Sequence, residues 1–469
     1  MDATISPLVT VYIANHNYAR FIEQSIQSVL NQTLHDFELI IIDDGSTDNS
    51  REIIERYLDH RRVISIFQQN RGLNVTNNIA MRAARGRYIM RLDADDYLDE
   101  NALMVLSGVL DRNPDIGLVF PDCYLIDEDG AILDVVRRHD FEEVTMLDQP
   151  AHGAVTLIRR ECLLELGGYD ESFRSQDGFD LWVRFIQNYR VRNVNLPLFY
   201  YRQHERSLTR NEDHILATRM SIIEREAQGR RHRLSSIAII PVRGRNIDAG
   251  SAALRTLGDI TLIDWTVSAA LEAKRLSGVV VTTPDEELLS HISGNYGDRV
   301  LAVRRDRELA LPNTHIEDTL FHALAEYTQR YPAPDVLMVL FIESPFRSAQ
   351  HIDSAINVME LFDTDTVVAV RPDSDVFYQH NGDGLEPLRK AQALRLEREE
   401  LYREVGQMRA VKRTFLETER HVVGGKVGHI VLDRRAAFRL RSEWDWEVAG
   451  LHANQPAREP SPPGENPGG

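Results

Sequence analysis

The sequence has few cysteines and no long apolar run. Its two cysteines, Cys123 and Cys162, are too few for a disulfide framework or a cysteine-based zinc site, so we expect two buried core thiols. No apolar run approaches the roughly 20 residues that span a bilayer, and the N-terminus lacks a basic region followed by an apolar block. These absences predict a soluble, cytoplasmic protein without a transmembrane segment.

The sequence also lacks an excess of positively charged residues. The formal net charge is −18 and the isoelectric point is near 5.4. Such a chain is repelled by phosphate backbones and by anionic membrane surfaces, so we expect no nucleic-acid partner. Its 469 residues exceed one ordinary core and predict two or three domains.

A short apolar run at residues 87–92 ends in three closely spaced carboxylates, those of Asp93, Asp95 and Asp96. Open α/β sheets bind ligands where their strands end. Neighbouring carboxylates repel one another unless they share a proton or a cation, and Mg²⁺ or Mn²⁺ prefers oxygen ligands of this kind. The alternative is a solvated acidic turn with one aspartate capping the helix that starts near Asp99.

The residues around this acidic turn alternate between strand and helix patterns. Residues 8–13 and 37–42 are short, apolar and rich in β-branched side chains, which is typical of buried parallel strands. Between them, apolar residues recur at helical spacing from Phe21 to Leu30. This strand-helix-strand order predicts a parallel sheet with right-handed crossovers. The alternation continues with a helix at about 49–58, a strand at 63–67, a helix at about 74–84 and a strand ending at Leu92.

Several motifs in order give residues 7–210 a clear resemblance to a known family. They are Ile13-Ala14-Asn15-His16-Asn17-Tyr18, Ser28-Val29-Leu30-Asn31-Gln32-Thr33, Ile42-Asp43-Asp44-Gly45-Ser46-Thr47-Asp48, and Asn70-Arg71-Gly72 followed by Asp93-Ala94-Asp95. The segment resembles a family 2 glycosyltransferase of the GT-A fold, an inverting enzyme that uses nucleotide sugars.

The resemblance implies roles for individual residues. Asp44 would accept the N3–H of a uracil-type base, since an ionised carboxylate is an acceptor. Ala14, His16 and Arg71 would contact the donor, although His16 could equally be a solvated loop histidine.

The same resemblance assigns the acids after Leu92. Asp95 would coordinate Mg²⁺ or Mn²⁺ bridging the diphosphate, with Asp93 on the ribose or on metal-bound water. The cation would offset charge on the leaving nucleoside diphosphate.

Two further segments extend the resemblance. Gly167-Gly168-Tyr169-Asp170-Glu171 precedes Gln176-Asp177-Gly178-Phe179-Asp180-Leu181-Trp182, and Tyr201-Arg202-Gln203-His204 follows. Asp177 falls on the family's general base, or else it only caps its helix. Gln176 replaces the glutamate usual before that base, so we expect acceptor contacts that differ from the family's. His204 would reach the metal or the diphosphate.

After a charged helix and basic segment, the α/β pattern restarts at Ser236. Residues 236–452 resemble a cytidylyltransferase of the CMP-sialic acid synthetase type. The motifs are Ile239-Ile240-Pro241-Val242-Arg243-Gly244, Leu262-Ile263-Asp264-Trp265-Thr266, Ser344-Pro345-Phe346-Arg347, Gly424-Gly425-Lys426-Val427-Gly428-His429 and Trp444-Asp445-Trp446-Glu447-Val448-Ala449.

This second resemblance has departures that bear on activity. The phosphate loop is shortened to Arg245-Asn246-Ile247-Asp248-Ala249-Gly250, without lysine, and the family's paired metal-binding aspartates fall on Arg439 and Arg441. Guanidinium groups carry the wrong sign for Mg²⁺ and have no acceptor. We therefore expect a catalytically degenerate domain.

The predicted fold class is α/β, with two consecutive Rossmann-like nucleotide-binding domains. The predicted segments are a GT-A glycosyltransferase domain over 1–215, a helical and basic linker over 216–235, a nucleotidyltransferase-like domain over 236–452 and a disordered tail over 453–469. The Arg- and Glu-rich segment 385–420 predicts a mostly solvated helix with i,i+4 ion pairs.

The predicted function is metal-dependent transfer of a sugar from a nucleotide donor, most simply a UDP-sugar, to a hydroxyl of a glycan, lipid-linked or protein acceptor. One alternative is a bifunctional enzyme that activates a nonulosonic acid with CTP and then transfers it. Another makes the second domain a non-catalytic module that binds a nucleotide sugar or forms a homodimer.

Overall fold

The computed structural model describes residues 6–136, 154–173, 177–204, 212–229, 233–244, 247–248, 251–373, 375, 377–387 and 401–453. The chain divides into two units. The first is formed by residues 1–211 and 376–399, and the second by residues 212–375 and 400–469.

The first unit is built on one mixed sheet with helices on both faces. Its strands are β1 (Val9–Asn15), β2 (Phe37–Asp44), β3 (Val63–Gln68), β4 (Tyr88–Asp93), β5 (Tyr97–Leu98), β6 (Ile116–Ile126), β7 (Ile132–Val136), β8 (Leu157–Arg159) and β9 (Arg190–Arg202). Its helices are α1 (Ile22–Leu30), α2 (Ser50–Glu55), α3 (Leu73–Ala83), α4 (Ala102–Arg112), α5 (Arg160–Glu165) and α6 (Asp177–Ile186).

The strand order in the described residues is β3-β2-β1-β4-β8-β6-β9-β5, with β7 beside β6. The predicted parallel pairing is confirmed for the first four strands, because β2 pairs parallel with β3 and β1, and β1 with β4. The sequence patterns did not identify β6 and β9, which pair parallel with each other, or β8, which is antiparallel to β4.

The core of the first unit follows from the apolar strands. Every residue of β2 is buried, as expected for a strand covered on both faces. Ile22, Ile26 and Val29 form the buried stripe of α1 and pack in an apolar cluster with β1, while Tyr12 and Ile40 belong to a second cluster. The apolar clusters on the two faces hold β1, β2 and β4 in place.

The second unit also has a mixed sheet. From residue 212 onward the elements are α7 (Glu212–Gln228), β10 (Ser236–Pro241), β11 (Thr256–Leu257), β12 (Ile260–Thr261), α8 (Leu262–Glu272), β13 (Gly278–Thr283), α9 (Glu286–Tyr296), β14 (Leu301–Arg304), α10 (Ile316–Thr328), β15 (Val336–Leu340), α11 (Ala349–Phe362), β16 (Thr366–Asp373), β17 (Tyr378–His380), β18 (Leu385–Pro387), β19 (Leu401–Lys412), α12 (Arg413–Glu419), β20 (Val427–Val431) and α13 (Glu443–Ala453). Of these, β17 and β18 pair only with each other in the described part of the chain and lie in residues 376–399, which belong to the first unit.

The second sheet has the order β14-β13-β10-β15-β19-β16-β20 in the described residues. Strand β10, where the α/β pattern was predicted to restart, pairs parallel with β13 and β15 and is therefore central. Strand β19 is antiparallel to both of its neighbours. Helix α7 covers the first part of the predicted linker and packs against α11.

The prediction of a solvated helix over 385–420 is wrong for its described part. Residues Leu401–Lys412 form a strand inside the sheet, and α12 is a helix of seven residues after it. Met408 and Ala410 are buried, while the charges of Arg409 and Glu404 pair with each other at the surface. The i,i+4 charge pattern favoured a helix. Pairing with a neighbouring strand on each side makes this segment a strand instead. The remainder, 388–400, and most of the predicted disordered tail lie outside the described residues.

Both cysteines are buried and free, as predicted. In the described part of the chain, no helix combines the length and apolar character that a membrane crossing requires.

Candidate active site

The predicted site residues of the first unit gather where β1, β2 and β4 end. In the parallel register, Ala14 lies between Ile42 on β2 and Asp93 on β4, and Asn15 pairs with Asp43. The carboxyl ends of parallel strands meet at the same edge of a sheet. The acids that follow β2 and β4 therefore lie along one edge.

The Asp44 carboxylate holds the loop that follows β3. Its Oδ1 accepts hydrogen bonds from the backbone N–H of Arg71 and the side-chain amide of Gln68, and its Oδ2 accepts one from the backbone N–H of Gly72, each at 2.8 Å. A carboxylate has about four acceptor positions. One position on Asp44 is thus left for a ligand.

Gly45 allows this loop to approach so closely. Its φ of +75° is one that side chains with a Cβ rarely adopt, and a Cβ here would lie 2.5 Å from the backbone nitrogen of Asn70. A larger residue at this position would push the loop away from Asp44.

His16 is exposed beside the same loop. Its Nδ1 lies 2.9 Å from the backbone oxygen of Asp44, and its Nε2 lies 3.2 Å from the side-chain amide of Asn70. A neutral imidazole donates from one nitrogen and accepts at the other, so the Nδ1–H tautomer satisfies both contacts. The side chain of Arg71 is exposed, and its backbone N–H is the group that binds Asp44.

Asp93 is paired with Arg91 on its own strand. The Arg91 side chain is buried, with Nε 2.9 Å from Asp93 Oδ1 and Nη2 3.3 Å from Oδ2. The Nη2 contact is a hydrogen bond and the Nε contact is an ion pair, and together they hold the carboxylate against Arg91. The Asp93 side chain remains 27% exposed, so a ligand can reach it.

Asp95 and His204 meet directly although they are distant in sequence. The distance from His204 Nε2 to Asp95 Oδ2 is 2.8 Å. The His204 ring stacks on Phe21 at 19° and meets the edge of Tyr18 at 61°. Packing on two aromatic rings therefore fixes the imidazole that faces Asp95.

Arg202 holds the acidic turn from the end of β9. Its backbone N–H donates to Oδ1 of the buried Asp96 at 2.9 Å. Its guanidinium donates to the backbone oxygens of Asp95, Asp127 and Glu128 at 2.8–3.1 Å. Asp96 and Arg202 were not assigned roles from sequence, although the motif Tyr-Arg-x-His already contained the arginine.

Negative charge is costly in this turn. Burial raises the pKa of Asp95, the charge of Asp93 raises it further, and the hydrogen bond from His204 opposes both. Burial and then the charges of Asp95 and Asp93 raise the pKa of Asp96 well above its usual range. Burial and the same acids also raise the pKa of Tyr18. A bound cation would relieve this repulsion.

The side chains at this turn fit a cation that is shared with a ligand. In the described residues, no group of three or more His, Cys, Asp or Glu side chains is arranged to enclose a metal ion. Mg²⁺, however, is commonly bound by one or two carboxylates together with substrate phosphates. Asp95 provides one such carboxylate, and His204 Nε2, which lies 2.8 Å from it, is a second potential ligand.

Asp177 is the first residue of α6. Its side chain and residues 174–176, including Gln176, lie outside the described residues, so its role stays a prediction. The helix itself is anchored, because Arg184 pairs with Asp180 at 2.6 Å and donates to the backbone oxygen of Gly168 at 2.8 Å.

One hydrogen-bonded cluster consists of motif residues to which the sequence had assigned no role. The Asn15 side-chain amide donates to Asp43 at 2.8 Å and to Ser46 at 3.0 Å, and the Ser46 hydroxyl donates to Asp43. Asp43 thus fixes the ends of β1 and β2, while Asp44 faces the loop. Asp43 and Asp44 therefore have different partners. Their adjacency in the sequence does not show this difference.

Comparison with known proteins bears directly on this arrangement. Residues 10–151 match the family model described as glycosyl transferase family 2. The first unit contains a family 2 glycosyltransferase domain. The matched residues include the ends of β1, β2 and β4 and the acidic turn, so the motifs from Ile13 to Asp95 lie within the match, whereas the segments around Asp177 and His204 lie beyond it.

Relatives of this glycosyltransferase domain share part of their length with it. Chondroitin synthase from Escherichia coli is 31% identical over 193 residues, which are 40% of this chain and 28% of the relative. An uncharacterized glycosyltransferase of Methanocaldococcus jannaschii is 35% identical over 191 residues, which are 39% of this chain and 66% of the relative. The chain thus spans less than two thirds of the length of these relatives.

The crystal structure of Staphylococcus aureus TarS 1–349 in complex with UDP-GlcNAc is 18% identical to the chain, with a TM-score of 0.40. The likeness covers 47% of this chain and 65% of that chain. At this distance, no conclusion about ligands follows from it.

Proposed function

We propose that the first unit transfers a sugar from a nucleoside diphosphate donor to a hydroxyl acceptor, with inversion and with Mg²⁺ or Mn²⁺. The observation that supports this most is the pairing of Asp95 with His204 at 2.8 Å. This pair lies on the turn after β4, and the end of β2 brings Asp44 to the same edge of the sheet. Transfer of a sugar needs both a base-binding acceptor and a place for the diphosphate.

Asp44 and His16 would receive the base of the donor. The last acceptor position of Asp44 suits the N3–H of a uracil-type base, which would add to the three hydrogen bonds that it already accepts. The exposed His16 ring offers a face on which the base can stack. A UDP-sugar is therefore the proposed donor.

Asp95 and His204 would hold the cation, and Asp93 would accept a hydrogen bond from the ribose. When bound, the cation would offset the charge that develops on the leaving nucleoside diphosphate. Arg91 contacts both carboxylate oxygens of Asp93, which keeps Asp93 oriented as an acceptor.

Asp177 is the proposed general base at the start of α6. Its carboxylate would take the proton of the acceptor hydroxyl as that oxygen attacks the anomeric carbon in line with the leaving group. The acceptor is proposed to be a glycan, a lipid-linked saccharide or a protein hydroxyl. The likeness to chondroitin synthase, 31% identical, favours a glycan.

For the second unit we propose a cytidylyltransferase-like domain that does not make CMP-sugars. The resembling enzymes place two metal-binding aspartates where this chain has Arg439 and Arg441. Both arginines line the cavity beside Arg243. Cytidylyl transfer needs a metal to offset triphosphate charge, and arginines cannot ligate one.

The test of the first-unit proposal is a panel of nucleotide sugars, scored by release of the nucleoside diphosphate with and without Mn²⁺. We expect Mn²⁺-dependent turnover by the wild-type chain and its loss in Asp95→Ala. Asp59→Ala, at an exposed aspartate of the same unit, is the control and should retain activity. Metal-independent turnover by Asp95→Ala would overturn the proposal.

A further inference from the structure

Two adjacent cavities lie in the second unit. The first has a volume of about 700 Å³ and the second about 530 Å³, and both are lined by Gln407, Arg439 and Arg441. Each volume falls in the range of roughly 300–1,000 Å³ that small-molecule sites occupy. The three shared residues mark the boundary between the cavities.

The first cavity contains a buried arginine with no counter-ion. Arg305 is 3% exposed, and its guanidinium donates to the Thr319 hydroxyl at 3.0 Å and to the backbone oxygen of Val242 at 2.8 Å. Among the described residues, it forms no ion pair with a carboxylate. Burial and the nearby Arg243 charge lower the pKa of Arg305 to about 10. An anion in this cavity would offset both charges.

Two of the acids that line these cavities with Arg439 and Arg441 already have other partners. Both oxygens of Glu443 accept hydrogen bonds from Arg255 at 2.7 Å. Asp445 accepts hydrogen bonds from the backbone N–H groups of Arg441 and Ser442 at 2.9 and 2.7 Å. The Arg439 side chain is exposed and forms no ion pair or hydrogen bond with any residue that the structure describes.

The two cavities differ in character. The first has many apolar lining residues, among them Leu262, Ile316, Phe341 and Trp446. The second is lined mostly by charged side chains, among them Asp373, Asp375, Arg403 and Glu404. A flat base suits the apolar cavity, whereas the hydroxyl groups of a sugar suit the charged one.

We propose that the second unit binds one nucleotide-activated sugar across both cavities, with its linking phosphate at Arg439 and Arg441 and without a divalent cation. Guanidinium groups bind phosphate oxygens through two parallel N–H donors. They thereby supply the positive charge that a metal would otherwise bring. Binding here is independent of sugar transfer by the first unit.

The boundary is held by a buried arginine of the fold. Arg347 donates to the backbone oxygens of Gly406 and Gln407 at 2.6 and 3.1 Å. Gln407 has a φ of +46°, so this bend is imposed by its surroundings. The bend places Gln407 against both cavities, which makes the junction a fixed part of the fold.

Calorimetric titration of the full chain in EDTA tests the proposal. The probes are CMP-N-acetylneuraminate and UDP-N-acetylglucosamine, each compared with its free nucleotide (CMP or UDP) and its free sugar. The protein carries Asp95→Ala, which removes the proposed metal ligand of the first unit. We expect at least one nucleotide sugar to bind more tightly than either of its parts. Arg439→Ala/Arg441→Ala should weaken it about 10-fold or more, since this change removes both groups that make charge-assisted hydrogen bonds to the phosphate.

Arg299→Ala/Arg330→Ala is the matched control, because it removes the same charge from two exposed positions that line neither cavity. It should bind the probe like the parent protein. Equal binding by Arg439→Ala/Arg441→Ala and by this control would overturn the proposal. So would binding that appears only when Mg²⁺ replaces EDTA, or nucleotide sugars that bind no better than their parts.

Discussion

Asp95 and Asp96 are adjacent acids in different surroundings. The Asp95 carboxylate is 15% exposed and faces His204, whereas Asp96 is 1% exposed and faces the backbone of Arg202. One Asp96 oxygen has no partner among the described residues. Asp95 is therefore placed to meet a ligand, while Asp96 serves to fix the turn at an electrostatic cost.

The cost at Asp96 predicts a pH-dependent effect of Asp96→Asn. The folded pKa of Asp96 is raised, so its ionised form destabilises the fold. This destabilisation is absent below the unfolded pKa of about 3.8 and complete above the folded pKa. In thermal unfolding without metal, Asp96→Asn should raise the midpoint at pH 8, and the gain should shrink towards pH 4. A gain that is constant over this range would contradict the assignment.

Asp177 gives a second prediction at the residue scale. Asp177→Asn should retain donor binding and lose sugar transfer by roughly two to four orders of magnitude, because an amide cannot take the acceptor proton. The measurement is initial transfer rate together with donor affinity. Asp59→Asn is the control. A transfer rate near that of the wild type would leave Asp177 as a helix cap alone.

At the scale of elements, β9 carries the residues at its C-terminal end to the acidic turn after β4. The strand pairs parallel with β6 along most of its length and antiparallel with β5. Its last residue, Arg202, then reaches three backbone oxygens around the turn. The strand thereby brings His204 to Asp95.

Arg202→Lys should loosen this connection. A lysine has one compact ammonium group and cannot make the separate contacts of a planar guanidinium. We expect a loss of on the order of 3 kcal/mol in the free energy of unfolding and weaker donor binding, measured by denaturant titration and calorimetry. Arg190→Lys, an exposed position on the same strand paired with Asp115, should cost under about 1 kcal/mol. Equal effects of the two variants would argue against the anchoring role.

Strand β19 shows how sheet pairing overrides a local pattern. Its Arg and Glu residues have the spacing of a charged helix, yet the chain pairs with β15 on one side and β16 on the other. The charged ends of Arg403 and Arg409 reach acids at the surface, which leaves the backbone free to form the ladder. The spacing of charged residues along a segment does not indicate which strands pair with that segment.

At the scale of the whole molecule, the chain carries two α/β units with opposite charge at their candidate sites. The first has a cluster of acids at the ends of its parallel strands. The second has a cavity lined by Arg243, Arg305, Arg439 and Arg441. This contrast predicts a cation-dependent site in the first unit and a cation-independent anion site in the second.

The full chain should release no pyrophosphate from CTP and a nonulosonic acid in the presence of Mg²⁺. The reason is that Arg439 and Arg441 stand where the resembling enzymes place metal-binding carboxylates. The measurement is a coupled pyrophosphate assay, with an active CMP-sialic acid synthetase as positive control. Detectable release would revive the bifunctional alternative.

Much of the fold was predictable because its signals are local. Strands β1, β2 and β10 are runs of buried residues rich in β-branched side chains, and helix α1 has apolar residues at helical spacing. The predicted bounds of these elements differ from the observed ones by a few residues. Strands β6 and β9 could not be predicted in the same way, because their register is set by partners distant in the chain.

The sequence by itself determined which residues are candidates for the chemistry, because acids after apolar strands and arginines in place of aspartates are local features. Only the tertiary structure decided which of them act together. His204 and Asp95 are separated by 109 positions in the sequence, yet their side chains lie 2.8 Å apart. Asp44 accepts three hydrogen bonds from the segment that ends β3 and the loop after it. Such pairings depend on strand order and on packing against distant elements, which no local spacing of residues encodes.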